Sequence, residues 1–240
     1  MIPQEKKCLS GSALKLIAVI TMLIDHTAHT ILIKLPFAMQ TFAEIGSFKI
    51  SIYIICRWIG RIAFPIYGFL LTEGLHYTHD RRKYAANLLL FALLSEIPWN
   101  LIHEGKLFLP GSQNVFFTLF LGLLCMMLYE FYQEDLKKQC ISLLILSLIA
   151  LLLHADYGFK GMGFLFILYL LKEKPIPLAI VSSSMLNSPA ACMLAFIPIG
   201  FYNHERGFIR GKVGKYCFYA FYPIHMLILY FIKKAIWGYS

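Results

Sequence analysis

Charge is what this chain has least of. Asp, Glu, Lys and Arg make up 15% of its 240 residues, against 59% hydrophobic residues, and the mean hydropathy is +0.67. A soluble domain carries about 25% charged residues, so the composition excludes one and points to a polytopic membrane protein. There is no CxxC spacing either. The six cysteines, Cys8, Cys56, Cys125, Cys140, Cys192 and Cys217, stand singly, which removes the sequence argument for a metal or redox centre and leaves core packing as their expected role. Internal repeats, low-complexity tracts and long linkers are also missing, so residues 1–240 read as a single membrane domain. The first apolar run lacks a clear small-residue cleavage site and contains Asp25 and His26; it reads as a retained helix rather than a signal peptide.

What is present is a series of apolar stretches: 14–37, 50–76, 85–102, 114–132, 139–154 and 216–236. A hydrocarbon core about 30 Å thick needs roughly 20 apolar residues per helix, and these stretches supply that or nearly so. Residues 161–171 are short, and 176–202 is one long helix or a hairpin broken at Asn187, Ser188 and Pro189. Loop charge favours the hairpin. With Lys6 and Lys7 in the cytoplasm, the loops bearing Arg81, Arg82 and Lys83, then Lys137 and Lys138, then Lys172 and Lys174 also fall inside. A hairpin at 176–202 keeps Arg206, Arg210, Lys212 and Lys215 there too, as the positive-inside rule asks. The expectation is an all-α polytopic integral membrane helix bundle of about nine transmembrane helices, within a range of about 8–10, with a cytoplasmic N-terminus. The opposing loops carry only Lys34, Lys49, Lys106 and Lys160; Lys233 and Lys234 misfit and are expected to snorkel to the interface.

The apolar helices are interrupted by ionisable residues at one depth: Asp25 and His26, Arg57 and Arg61, Glu96, and His225. Each charge at a helix centre costs about 2.5–3.5 kcal/mol on the insertion scale, so such a set faces a bundle interior where its members pair or meet water. Asp25, Arg61, Glu96 and His225 all lie about ten residues in from a span end, which lets four helices converge on one cavity; the alternative is separate neutralisation by carbonyls or waters. On the first helix Asp25 and His29 are i, i+4 neighbours, a spacing that favours Asp25 orienting His29 over His26. Arg57 and Arg61 share a face at the same spacing, with Gly60 between them and Pro65 expected to kink the helix. Two guanidiniums suit an anion, a thioester carbonyl or a developing oxyanion, or else they pair with Asp25, Glu73 or Glu96.

The runs LIAVITMLIDH (16–26), RWIGRIAFPIYGFLLTEG (57–74), RRKYAANLLLFALLSEIPWNL (81–101), QNVFFTLFLGLL (113–124), ADYGFKG (155–161) and KYCFYAFYPIHMLILY (215–230), taken in order, resemble the TraX family of membrane proteins. The resemblance spans nearly the whole chain; 34–49 and 172–202 match nothing recognisable, and His29 lies outside the pattern. It implies an acetyl-CoA-dependent membrane N-acetyltransferase like the one that acetylates the pilin amino terminus, related to the larger class of transmembrane acyltransferases. It also implies a site in the bacterial inner (cytoplasmic) membrane. By matching position, His26 takes the role of essential histidine, with Asp25 beside it and Arg61 contributing to catalysis. Arg57 and Arg61 become anion and thioester contacts, and Glu96, Asn114, Asp156 and His225 carry over as motif members without assigned roles.

Residues and resemblance agree on a chemistry in outline. A base deprotonates an amine or hydroxyl, the nucleophile attacks the thioester, and cations stabilise the oxyanion; an acetyl-histidine intermediate is equally permitted. Arg81, Arg82, Lys83, Arg206, Arg210, Lys212 and Lys215 are placed to hold the nucleotide phosphates of acetyl-CoA, although positive-inside topology alone would put them where they are. The acceptor could be a pilin N-terminus, an amino sugar, a hydroxyl or a small amine. Nothing in the pattern calls for a metal or a nucleic acid. Two other classes compete: a proton-coupled transporter, since intramembrane Asp, Glu and His also build proton relays, though without an inverted repeat, and a non-catalytic assembly subunit, which leaves the buried charges unexplained.

Overall fold

The computed structural model describes residues 7–46, 48–172 and 174–238; Lys6, one of the charges used to orient the N-terminus, lies outside them. The described chain is mostly helical with almost no strand, as expected. In order it forms α1 (Gly11–Thr30), a 3₁₀ turn (Leu32–Lys34), α2 (Pro36–Met39), a short hairpin of β1 (Ala43–Ile45) and β2 (Phe48–Ile50), α3 (Ile52–Gly60), α4 (Ala63–Tyr77), α5 (Arg81–Glu104), α6 (Val115–Phe131), α7 (Leu136–Leu152), α8 (Gly158–Leu170), α9 (Pro175–Ser184), α10 (Pro189–Met193), α11 (Phe196–Gly200) and α12 (Gly211–Trp237). The strands pair antiparallel with Ala43 opposite Ile50.

The helix ends follow local chemistry. Ser10 caps α1 and Ser51 caps α3, their hydroxyls accepting from the amides of Ala13 and Ile54, each at 3.3 Å. Asn114 and Asp135 cap α6 and α7 in the same way. Pro65 has no N–H with which to bond the carbonyl of Arg61, so the continuous span 52–77 is interrupted at Arg61 and Ile62, between α3 and α4. In place of the kink expected from Pro65, the helix is broken for two residues in the turn before it. The 176–202 stretch is broken as well: the chain leaves α9 after Ser184 and re-enters helix at Pro189.

Four stretches among the described residues are long and apolar enough to cross a membrane: Gly11–Lys34, Ile52–Tyr77, Arg81–Glu104 and Gly211–Trp237. The other helical segments fall short of the full length expected of about nine spans. The longest of them, α6 and α7, have 17 residues each, or about 26 Å at 1.5 Å per residue.

The chain divides into two compact units. One holds the described residues up to Tyr67, Leu101–Gly105 and those from Ala190 onward; the other holds Gly68–Asn100 and Lys106–Pro189. In the first unit α1 packs chiefly against α3 and also against α12. The loop before α12 is bonded to the start of α1: Gly11 N–H donates to the Glu205 carbonyl at 2.8 Å and Ser12 N–H to that of Arg206 at 3.0 Å. The Ser12 hydroxyl donates to the Arg206 carbonyl and accepts from the Ile209 amide, both at 2.8 Å. In the second unit α6 packs on α7 and α8, and α8 on α9, around a core of Leu121, Cys125, Leu146, Ala150 and Met162.

Large apolar side chains also point outward, among them Leu16, Ile20 and Leu23 on α1 and Ile141, Leu144, Leu148 and Leu152 on α7. Such stripes are disfavoured against water and match lipid, the arrangement required of helices in a bilayer. The cysteines do not all pack in the core. Cys125 and Cys192 are buried, Cys56 is half-buried, Cys8, Cys140 and Cys217 are exposed, and all are reduced.

Candidate functional site

In the first unit, α1, α3 and α12 bring ionisable side chains together. Gly60 is the reason α1 and α3 approach so closely: a Cβ at that position would overlap the Cβ and carboxylate of Asp25. That approach allows Arg57 Nη1 to bond Asp25 Oδ2 at 2.9 Å, with the two side chains only 20% and 15% exposed. The other carboxylate oxygen, Asp25 Oδ1, is buried and makes no hydrogen bond among the described residues. Arg61, one turn along at the end of α3, lies within electrostatic reach of the same carboxylate. The Asp25 and Arg57 pairing left open by the sequence is thus formed, whereas the Asp25 and His29 dyad expected from helix spacing is not. Asp25 turns to α3, and the His29 ring sits 5.6 Å from that of His103 at the end of α5.

His26 is directed to α12. Its Nδ1 lies 2.6 Å from Nε2 of His225, a residue only 4% exposed, and His225 Nδ1 lies 2.8 Å from the carbonyl oxygen of Phe221. Tyr222 stands edge-on to both imidazoles, with ring centroids 6.0 Å and 5.8 Å away. A titratable pair of this kind beside an ion pair can move a proton and hold an anion in one place.

Glu96, Asn114 and Asp156 belong to the second unit, where the structure gives them partners of their own. The fully buried Asn114 donates from its backbone N–H to Glu96 Oε1 at 3.2 Å and from Nδ2 to the same oxygen. Its Nδ2 also donates to the Ala92 carbonyl at 2.8 Å, and its Oδ1 accepts from Phe116 N–H at 3.1 Å. Asn114 therefore caps α6 and fastens it to α5 through Glu96. Asp156 holds the turn before α8: its N–H donates to the Gln113 carbonyl at 2.8 Å, its side chain accepts from Tyr157 N–H at 3.1 Å, and its carbonyl accepts from the Thr118 hydroxyl.

Of the basic residues expected to hold a donor's phosphates, Arg81 is engaged within the second unit. Its guanidinium bonds Glu130 of α6, which also accepts from the Tyr169 hydroxyl of α8 at 2.7 Å. Arg82 and Lys83 are exposed, as are Arg206, Arg210 and Lys212, while Lys215 is half-buried; Arg210 Nε donates to the Gly207 carbonyl at 3.2 Å.

Comparison with known proteins places this geometry in a lineage. The sequence matches the TraX protein family over residues 10–233. The chain belongs to that family. A protein of Dichelobacter nodosus described as a probable fimbrial assembly protein, FimC of serogroup H1, is 29% identical over 248 residues, covering 92% of this chain and 94% of the relative. No solved structure matches the chain.

Within this TraX family chain, reading the sequence did not single out Phe221, Tyr222 or His103. The signal for the first two lies in the run FYPIH (221–225): one helical turn back from His225, the carbonyl of Phe221 and the ring of Tyr222 fall on the face of α12 that carries the imidazole. No local signal marks His103, which meets His29 only through tertiary packing.

Proposed function

We propose that this TraX family protein is an integral-membrane acetyltransferase of the bacterial cytoplasmic membrane. It takes the acetyl group of cytoplasmic acetyl-CoA and passes it to an amine of a fimbrial subunit. The observation that carries the reading is that neighbouring residues of α1 engage two helices of one unit, Asp25 bonding Arg57 of α3 and His26 meeting His225 of α12. An imidazole able to take a proton lies within electrostatic reach of a guanidinium held in place by a carboxylate. His26 accepts the acceptor's proton as its nitrogen attacks the thioester carbonyl, and Arg57 and Arg61 stabilise the oxyanion. The fimbrial acceptor comes from the name of the Dichelobacter relative. Arg206, Arg210 and Lys212, exposed in the same unit as His26, are cations available to the donor's phosphates; Arg81 is taken up by Glu130.

Purified protein in lipid nanodiscs, given acetyl-CoA with and without a peptide bearing a free amino terminus, should release CoA in an amine-dependent way. The His26→Ala variant should not. Absence of CoA release with peptide, amino-sugar and small-amine acceptors alike, together with proton-driven uptake into vesicles, would replace the enzyme with a transporter.

A further inference from the structure

The contact between His26 and His225 fixes where the protons of both rings reside. A carbonyl oxygen offers only lone pairs, so the proton in the 2.8 Å contact with Phe221 is on His225 Nδ1. A neutral imidazole carries one N–H, which leaves a lone pair on His225 Nε2. The proton in the 2.6 Å contact therefore belongs to His26 Nδ1, and the remaining nitrogen of His26, Nε2, keeps its lone pair. The rings are parallel to within 2° with centroids 4.9 Å apart, as two imidazoles joined edge to edge in one plane must be. Phe221 and His225 lie one turn apart on a single helix, so backbone geometry sets the first bond and the first bond sets the second.

We propose that His225 is the positioning residue of acetyl transfer: by accepting the Nδ1 proton of His26 it holds His26 in the tautomer whose Nε2 lone pair receives the proton of the acceptor. The proposal rests on the reading of His26 as the base. In the step it serves, the amine proton passes to His26 Nε2 while the amine nitrogen bonds the thioester carbonyl carbon. The carbon–sulfur bond then breaks and the departing thiolate takes that proton from His26, leaving amide and free thiol. While His26 is an imidazolium, its bond to His225 is charge-assisted and stronger. The other groups bearing on His26 are Arg57 on α3, His103 on α5 and His29 on α1.

The test has two readouts on the full chain in nanodiscs. Nitrogen-15 NMR of histidine-labelled protein, with the His26 signals assigned by their loss in His26→Ala, should show a protonated Nδ1 and an unprotonated Nε2 in the wild type. That measurement needs no altered His225 to fold. In His225→Leu the preference should disappear and kcat should fall about 100-fold, the scale of a general base put out of position, with KM for acetyl-CoA unchanged. His225→Gln, whose amide oxygen accepts in place of Nε2, should recover most of both. A wild-type proton on His26 Nε2 overturns the proposal, as does a His225→Leu protein with unchanged tautomer and kcat. Loss of KM alone would also overturn it. A wild-type protein with the expected tautomer but no transfer would remove the acetyltransferase reading while leaving the His225 contact established.

Discussion

At the scale of the residue, Gly60 decides whether the site forms at all. It has a helical backbone that any residue can adopt, and what forbids a side chain there is the Asp25 carboxylate directly opposite. Gly60→Ala should push α3 off α1, lengthen the Arg57 to Asp25 bond and cost about 1–3 kcal/mol, the range for overpacking. A lower melting temperature in detergent together with lost CoA release would show it; unchanged values for both would mean the helices have slack at this point. His26 and His29 should behave differently from one another. His26→Ala should abolish transfer in a protein that still inserts, while His29→Ala, whose ring meets that of His103 rather than Asp25, should retain most of the rate. Equal loss from both, measured as kcat with insertion verified by membrane fractionation, would restore the Asp25 and His29 dyad that helix spacing suggests and this structure does not contain.

At the scale of the element, the polar residues that interrupt the helices fall into two kinds. Asn114 with Glu96 is a joint: one side chain caps α6, bonds the backbone of α5 and engages a carboxylate. Asn114→Ala should cost about 1–3 kcal/mol, through the lost cap and a half-buried acceptor left without its donor. Glu96→Gln should be tolerated far better, because its amide oxygen accepts the same bonds. Thermal unfolding in detergent distinguishes the two, and an equally damaging Glu96→Gln would give the carboxylate's charge a role beyond the joint. The sequence made some of this legible and hid the rest for physical reasons. Helix breaks one turn before Pro65 and between Ser184 and Pro189 follow from missing donors and turn chemistry, and the near-common depth of Asp25 and His225 follows from helix rise. What spacing cannot convey is which side chain crosses to which helix. His26 meets a partner 199 residues away, Asp25 prefers Arg57 over its own helical neighbour, and Arg81, which reads as a free phosphate contact, is bound to Glu130. Such choices are made by packing, and only the close approach at Gly60 had left a mark in the sequence.

At the scale of the whole molecule, the exposed cations and the course of the chain through the membrane each make a prediction. If Arg206, Arg210 and Lys212 hold the donor's phosphates, salt should weaken that hold, since the screening length falls from about 10 Å at 0.1 M to about 3 Å at 1 M. The site around His26 is screened far less. KM for acetyl-CoA should rise with ionic strength at nearly constant kcat, and the Arg210→Gln, Lys212→Gln double variant should weaken acetyl-CoA more than a truncated acetyl-pantetheine donor. The bonds from Gly11 and Ser12 to Glu205 and Arg206 constrain topology without any appeal to charge. They fasten the loop before α12 to the start of α1, so both lie on one side of the membrane and the chain crosses an even number of times between them. A broken 176–202 stretch that returns to the side it left meets that condition; a single crossing there, with the other expected spans unchanged, does not. The proposed reading puts that shared side in the cytoplasm. Cys8 is exposed just before α1 and Phe208 is 66% exposed in the fastened loop. Cys8 alone, or Phe208→Cys alone with every other cysteine replaced by serine, should therefore resist a membrane-impermeant thiol reagent in intact cells and react once the membrane is opened. Reaction of both from outside would invert the orientation and leave the fastening intact. Reaction of one without the other would break the link between the loop and α1, and with it the even number of crossings.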